Sequence, residues 1–301
     1  MKLLHKFHIN ITDNKILINN DVSTYNLPVM AIHNSNNKIY VAIGNKLINF
    51  TDKRILSTHQ KSVKSIDSYN DILGCASYDG TATILRSEQF LETVEGPDTE
   101  IKSIYIDELY LIFGTRGKTV WILQKEELRH SNNKNESVIS YEIKSILSDH
   151  TQDVKGAIIH DELLFSWSYD KSIKIYLQNQ NEFELLQSIS CSETVWNLIF
   201  MGDLLIAPLQ NGSVEIFHRK SGFYTFKSTI NFSVTPLMVS CTVSDKMIAL
   251  VCNRKVVVFV NSFMNIVDQW ISDEEISSME MQGDCLFVGT VNSQIYVLNI
   301  N

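Results

Sequence analysis

At 301 residues with a net charge of −8, the chain is too acidic overall for a nucleic-acid phosphate binder, which needs clustered Lys and Arg. With 44% hydrophobic and 20% charged residues it can bury a sizeable core, and no apolar run approaches the roughly 20 residues that span a bilayer. Five cysteines, an odd number with no C-x-x-C pair, fit buried thiols in a reducing compartment, so a soluble intracellular protein without a signal peptide is expected.

In chain order, two short apolar segments come first: "LLHKFHI" (3–9) and "KILIN" (15–19). From there a unit of strand, polar turn and strand recurs. "IYVAIGNKLINF" (39–50) is the first copy and "ILGCASYDGTATIL" (72–85) the second. "LYLIFGTRGKTVWIL" (109–123) is the third, followed by a polar insertion, "RHSNNKNES" (129–137), that reads as a surface loop. "LLFSWSYDKSIKIY" (163–176), "LLIAPLQNGSVEIF" (204–217), "MIALVCNRKVVVF" (247–259) and "CLFVGTVNSQIYVL" (285–298) complete the set.

Each copy is preceded by another apolar segment, such as "VKSI" (63–66) or "VKGAII" (154–159), and several are followed by a fourth, such as "EFELLQSI" (182–189). Four short strands repeating at a spacing of roughly 34 to 53 residues is the signature of propeller blades. Seven copies predict a single all-β domain over 1–301, a seven-bladed β-propeller. The last copy ends without its fourth strand, so an N-terminal strand should supply it and remove an exposed sheet edge. Either 3–9 or 15–19 could do so.

The turn residues fall in register at Asp79, Gly117, Asp170 and Asn211. In the second and fourth copies a His, His59 or His150, lies twenty residues before the turn Asp. That is the layout of a WD repeat, in which His, a strand Ser/Thr, the turn Asp and a closing Trp bond across the blade. Here the Trp position holds Leu85, Leu123, Tyr176, Phe217 and Leu298, so the repeats are degenerate and apolar packing must hold most blades. His59–Asp79 and His150–Asp170 are therefore expected to be structural cross-links. A catalytic triad would also need a nucleophile and an oxyanion site, and no G-x-S-x-G elbow is present.

Other motifs dissolve similarly. "GTRGKT" (114–119) ends like a phosphate loop, but Ile112 stands where the first Gly is required, and the stretch lies between strands. His5 and His8 would face opposite sides of a strand. Trp121, Trp167, Trp196 and Trp270 read as packing residues. "SDEEISSME" (272–280) reads as a solvated acidic loop leading into a strand. The cysteines are not grouped as cluster ligands, so neither a metal site nor a cofactor is expected.

The middle of the chain carries a resemblance. "HQKSVKSI" with "CASYDGTATIL" (59–66, 75–85), "EIKSI" with "GTRGKTVWI" (100–104, 114–122), "HTQDVK" with "SYDKSIKIY" (150–155, 168–176) and "ETVWNLIF" (193–200) look like consecutive blades of the WD-repeat protein of the cytosolic iron–sulfur protein assembly machinery. The likeness covers about residues 59 to 200. It implies a non-enzymatic scaffold, cytoplasmic and also nuclear, in a targeting complex with a small assembly subunit and a helical-repeat scaffold. That complex hands clusters to apoprotein clients, some of which present a C-terminal peptide ending in an aromatic residue. The family's functional surface includes an Arg just before the third blade's turn, which here falls on Arg116.

The position has its own logic. The residue before each turn should project from one rim: Tyr78, Arg116, Tyr169 and Gln210. Residues leading into the first strands, Ser62, Glu100 and Asp153, should lie near them. Arg with Tyr suits a carboxylate and an aromatic ring, and both types are enriched at binding hot spots. Two alternatives remain. A vesicle-coat or nuclear-pore scaffold would leave its propeller open to a partner, and a propeller enzyme would need clustered acids, histidines or metal ligands at equivalent blade positions.

Overall fold

The computed structural model describes residues 1–12, 15–19, 27–129, 137–179, 182–231, 241–243, 247–252, 254–261 and 263–300. Two N-terminal strands, β1 (Lys2–Thr12) and β2 (Lys15–Asn19), precede the first sheet of β3 (Val29–Ser35), β4 (Lys38–Ile43), β5 (Lys46–Asn49) and β6 (Arg54–Thr58). The second sheet holds β7 (Val63–Tyr69), β8 (Ile72–Ser77), β9 (Thr81–Arg86) and β10 (Gln89–Glu95). The third holds β11 (Ile101–Ile106), β12 (Tyr110–Thr115), β13 (Val120–Arg129) and β14 (Ser137–Leu147). The fourth holds β15 (Val154–His160), β16 (Leu163–Ser168), β17 (Ser172–Asn179) and β18 (Glu182–Ser190). The fifth is β19 (Ile199–Met201), β20 (Leu204–Pro208), β21 (Ser213–Lys220) and β22 (Phe223–Asn231), and the sixth β23 (Cys241–Val243), β24 (Met247–Cys252), β25 (Val256–Asn261) and β26 (Ile266–Ile271). The seventh begins with β27 (Ile276–Gln282), β28 (Cys285–Thr290) and β29 (Gln294–Asn299). Among the described residues every regular element is a strand, and six of the sheets are built from neighbours in sequence. Of the expected insertion at 129–137, residues 130–136 lie outside those described, as do 237–240 of the segment before the sixth copy.

Residues 59–189 form one compact unit, and residues 1–58 with 190–301 another. In the first, β8, β12 and β16 are buried at every position. A strand covered on both faces reads as a continuous apolar run, and "YLIF" in β12 shows why. Tyr110 and Ile112 pack with Leu164, Tyr176 and Phe183 of the fourth sheet, while Leu111 and Phe113 pack with Ile72, Ile84 and Val94 of the second. Alternation along one strand thus feeds two cores. Trp167, 6% exposed, lies across Gly156, whose added Cβ would sit 2.1 Å from the indole ring, so only Gly fits there.

In the other unit the seventh sheet is completed by the N-terminus. Of the two segments the sequence leaves open, β1 takes the closing place, pairing antiparallel with β29 through Leu3↔Leu298 and Phe7↔Ile295. β2 then adds a fifth strand outside it, Ile9↔Ile18 and Ile11↔Ile16. Ile9, Ile11 and Ile16 are buried with Val29, Ile43, Ile48 and Phe287. Both segments are used, in sequence order.

Candidate functional site

The WD-like cross-links come first because they fix the turns. Nδ1 of His150 lies 2.9 Å from Oδ2 of Asp170, and Nε2 lies 2.8 Å from Oγ of Ser166. Burial pushes the imidazole pKa down, more than the Asp170 carboxylate raises it, so the ring is neutral near pH 7. A neutral ring donates one proton, here from Nδ1 to Asp170, and accepts at Nε2 from the Ser166 hydroxyl. Asp170 also accepts from the Thr151 and Ser172 N–H groups at 2.9 and 3.0 Å and from the Ser172 hydroxyl at 2.6 Å. Burial raises the carboxyl pKa, but these bonds together outweigh it and hold it below the usual range.

The second sheet repeats the His–Asp link, His59 Nδ1 to Asp79 at 3.2 Å, but Cys75 stands where Ser166 does, its Sγ 3.5 Å from Nε2, and the Thr83 hydroxyl of the next strand lies 3.0 Å from the same nitrogen. The Ser–His–Asp order of the fourth sheet has the connectivity of a protease triad, but Ser166 is 0% exposed. Its hydroxyl is out of reach of any substrate carbonyl. In the fifth sheet Cys191 holds the equivalent of the His position, and burial, then the nearby Glu215, push its thiol pKa well up. Glu215 accepts from the Ser192 N–H at 3.0 Å.

Five turns share one backbone device. The N–H of the residue before the turn donates to the carbonyl of the residue leading into the first strand: Tyr78 to Ser62, Arg116 to Glu100, Tyr169 to Asp153, Gln210 to Thr194 and Val291 to Glu275. The residue after the turn position has φ near +60 to +90° in each: Gly80 87°, Lys118 65°, Lys171 64°, Gly212 84° and Ser293 60°. The expected neighbours Tyr78/Ser62, Arg116/Glu100 and Tyr169/Asp153 are thus bonded pairs. Gln210, in the other unit, makes the equivalent bond to Thr194 at 2.9 Å.

The side chains of the 59–189 unit form a polar chain that sequence reasoning does not foresee. Arg116 Nη1 bonds Glu100 at 2.9 Å, with its side chain 59% exposed. Lys102 Nζ reaches the same carboxylate at 3.0 Å and Asp153 at 3.7 Å. The tyrosine rings expected beside Arg116 are instead covered by lysines, Lys102 over Tyr78 at 5.1 Å and Lys155 over Tyr169 at 4.8 Å. Lys64, Lys102 and Lys155 hold equivalent places, each two residues after Ser62, Glu100 or Asp153, on β7, β11 and β15. The recurring "SVK", "EIK" and "DVK" were the available signal. Burial, then repulsion from Lys64 and Lys102, push the Lys155 pKa down to about 7, against the opposing pull of Asp153. Burial and Lys102 push Lys64 down to about 8.

At the other ends of these strands a cleft of about 540 Å³ is lined by Tyr69, Asp107, Leu109, Tyr110, Ile159 and Phe183, among others. Among the described residues no group of three or more His, Cys, Asp or Glu could hold a metal ion. Cys75 and Cys191 are buried and Cys285 half-buried, while the side chains of Cys241 and Cys252 lie outside the described residues. The acidic stretch before β27 is more than solvated: Asn292 Nδ2 bonds Glu274 at 2.7 Å and Arg254 bonds Glu275 at 3.1 Å.

No protein family's sequence model matches the chain, and no curated protein does. Solved structures do. The WD40 β-propeller domain of Doa1 is similar with a TM-score of 0.71 at 14% identity, covering 92% of this chain and 94% of that one. The computationally designed Ika8 protein is similar with a TM-score of 0.70 at 12% identity, covering 98% and 97%. At these identities the likeness is one of fold: the chain is an all-β, seven-bladed WD40 β-propeller, as its repeats predict.

Proposed function

We propose that the chain is a non-enzymatic protein-interaction scaffold that recognises its partners through the rim of Arg116, Tyr78 and Tyr169. The observation that carries this reading is Arg116 itself. It is exposed, yet oriented by Glu100, which Lys102 holds from the other side. A guanidinium fixed in place with donors still facing solvent loses little entropy on meeting a carboxylate. The Ser–His–Asp set of the fourth sheet is buried scaffold and presents no exposed nucleophile.

The resemblance of residues 59 to 200 supports a finer setting: the cytosolic iron–sulfur assembly targeting complex, in the cytoplasm and nucleus. There the protein would join a small assembly subunit and a helical-repeat scaffold in delivering clusters to apoprotein clients, with the clusters as cargo. Tagged full-length protein should co-purify with those two subunits. Recovery of vesicle-coat or nuclear-pore subunits instead would replace this setting with another scaffold role.

Arg116→Ala is the residue-level test. The change leaves Glu100 bonded to Lys102, so no buried charge is orphaned, and the thermal midpoint should move little. Capture of carboxylate-terminated client peptides should weaken by about tenfold or more, the range of a hot-spot arginine. A large drop in midpoint with capture intact would make Arg116 a structural residue.

A further inference from the structure

We propose that Lys64, Lys102 and Lys155, with the hydroxyls of Tyr78 and Tyr169, form a seat for a doubly charged phosphoryl group. The inference rests on reading this rim as a recognition surface, but not on Arg116 anchoring anything.

The first strands β7, β11 and β15 are neighbours in the 59–189 unit, and each brings one half-buried lysine to the same register. Near them stand the carboxylates of Glu100 and Asp153, and Arg116 on the same Glu100. Glu100 is shared by Arg116 and Lys102, and Lys102 also meets Asp153. Lys64 has no carboxylate within ion-pair distance among the described residues; its resolved electrostatic neighbour is another cation, Lys102. The cluster is short of negative charge at its Lys64 side.

Shape chooses the anion. A planar carboxylate is matched by the guanidinium fork, part of which Glu100 already occupies. Three separate ammonium groups arriving from three strands are point donors, and they suit the tetrahedral oxygens of a phosphoryl dianion. The rings beneath Lys102 and Lys155 fix where two of those ammoniums point. Lys155 Nζ also lies 3.4 Å from the Tyr169 hydroxyl.

Crowding the lysines has a measurable cost. A lysine whose folded pKa is lowered binds fewer protons than in the unfolded chain, so folding stability rises with pH from about 7 towards the ordinary lysine value near 10.5. A bound dianion reverses this by restoring the protons, so affinity should fall as pH rises. Among the described residues, the charged and titratable groups that face these lysines include Tyr78, Glu100, Asp153 and Tyr169, with Arg116 on the far side of Glu100.

The test is NMR of the lysine Cε–Hε signals of the full-length protein, titrated with inorganic phosphate and with sulfate, whose own charge is constant. The Lys64 and Lys155 signals should shift saturably, and sulfate should bind more weakly at about pH 8.5 than at about pH 6.5. Lys64→Gln should weaken both anions by about tenfold. A phosphoserine peptide binding tighter than inorganic phosphate would identify a protein-borne phosphoryl group; equal affinity would identify a free phosphate ester. Lysine signals that ignore millimolar phosphate, or a Lys64→Gln protein that binds it unchanged, would overturn the proposal. Because the titration needs no partner protein, it can succeed where client capture fails, and the reverse.

Discussion

His150→Ala should lower stability by about 1–3 kcal/mol, with the ΔΔG towards the upper end, because the ring satisfies two buried groups at once. Removing it leaves the fully buried Ser166 hydroxyl without its acceptor at 2.8 Å. It also takes from Asp170, whose side chain is 7% exposed, one of the bonds that keep a carboxylate ionised in that setting. Asp170→Ala should cost at least as much, since it strips acceptors from the Thr151 and Ser172 N–H groups. The double variant should fall well short of the sum, as expected for one network.

The pH dependence separates this network from simple packing. Burial lowers the His150 pKa, so the unfolded chain takes up its proton first as pH falls below about 6.5, and stability drops there. The lowered Asp170 pKa adds a loss at still lower pH, as its carboxyl is finally protonated. Both losses should be absent from the double variant. Chemical denaturation at a series of pH values reads all of this, and a wild-type midpoint identical to that of His150→Ala would show that the pair holds nothing together.

How much of this was legible in the sequence follows from how local each feature is. The blades were, because strand, turn and strand lie within about fifteen residues, and every copy repeats an apolar run, a polar turn and an apolar run. The His–Asp links were too, since a fixed offset from the turn recurs in the second and fourth copies. The choice of closing strand was not. "LLHKFHI" and "KILIN" are both short apolar segments of strand length, and the partner β29 lies at the far end of the chain. The lysines escaped for another reason. A Lys on a half-buried strand reads as a solvated residue, and only placing β7, β11 and β15 side by side turns three ordinary residues into one charge cluster. The link from Arg116 to Glu100 is similar: the two were expected to be near, but that they bond depends on the turn carrying Arg116 back over β11.

Deleting residues 1–19 should have the larger effect, because it removes two strands and leaves one edge of β29 open. Ile9 is 0% exposed and Ile11 7%, and burying an apolar side chain of that size contributes about 1.5–3 kcal/mol each. The edge contact of Phe7 on Phe50 at 5.6 Å, Lys6 over Tyr296 at 5.0 Å and the N-terminal ammonium on Asp268 at 3.1 Å go as well. Against a typical net stability of about 5–15 kcal/mol, such a loss is a large fraction of the whole. The truncated chain would also present the open N–H and C=O groups of β29, a template for pairing with another copy. Aggregation on expression is therefore expected, not merely a lower midpoint. Deleting 13–19 alone should be milder, since β2 pairs on one side only. A synthetic peptide of residues 1–12 added during refolding should recover soluble monomer, because strand addition to an open edge regains both the ladder and the apolar pockets. If the 1–19 deletion stays monomeric with an unchanged midpoint, β1 is an ornament on the seventh sheet and three strands suffice there.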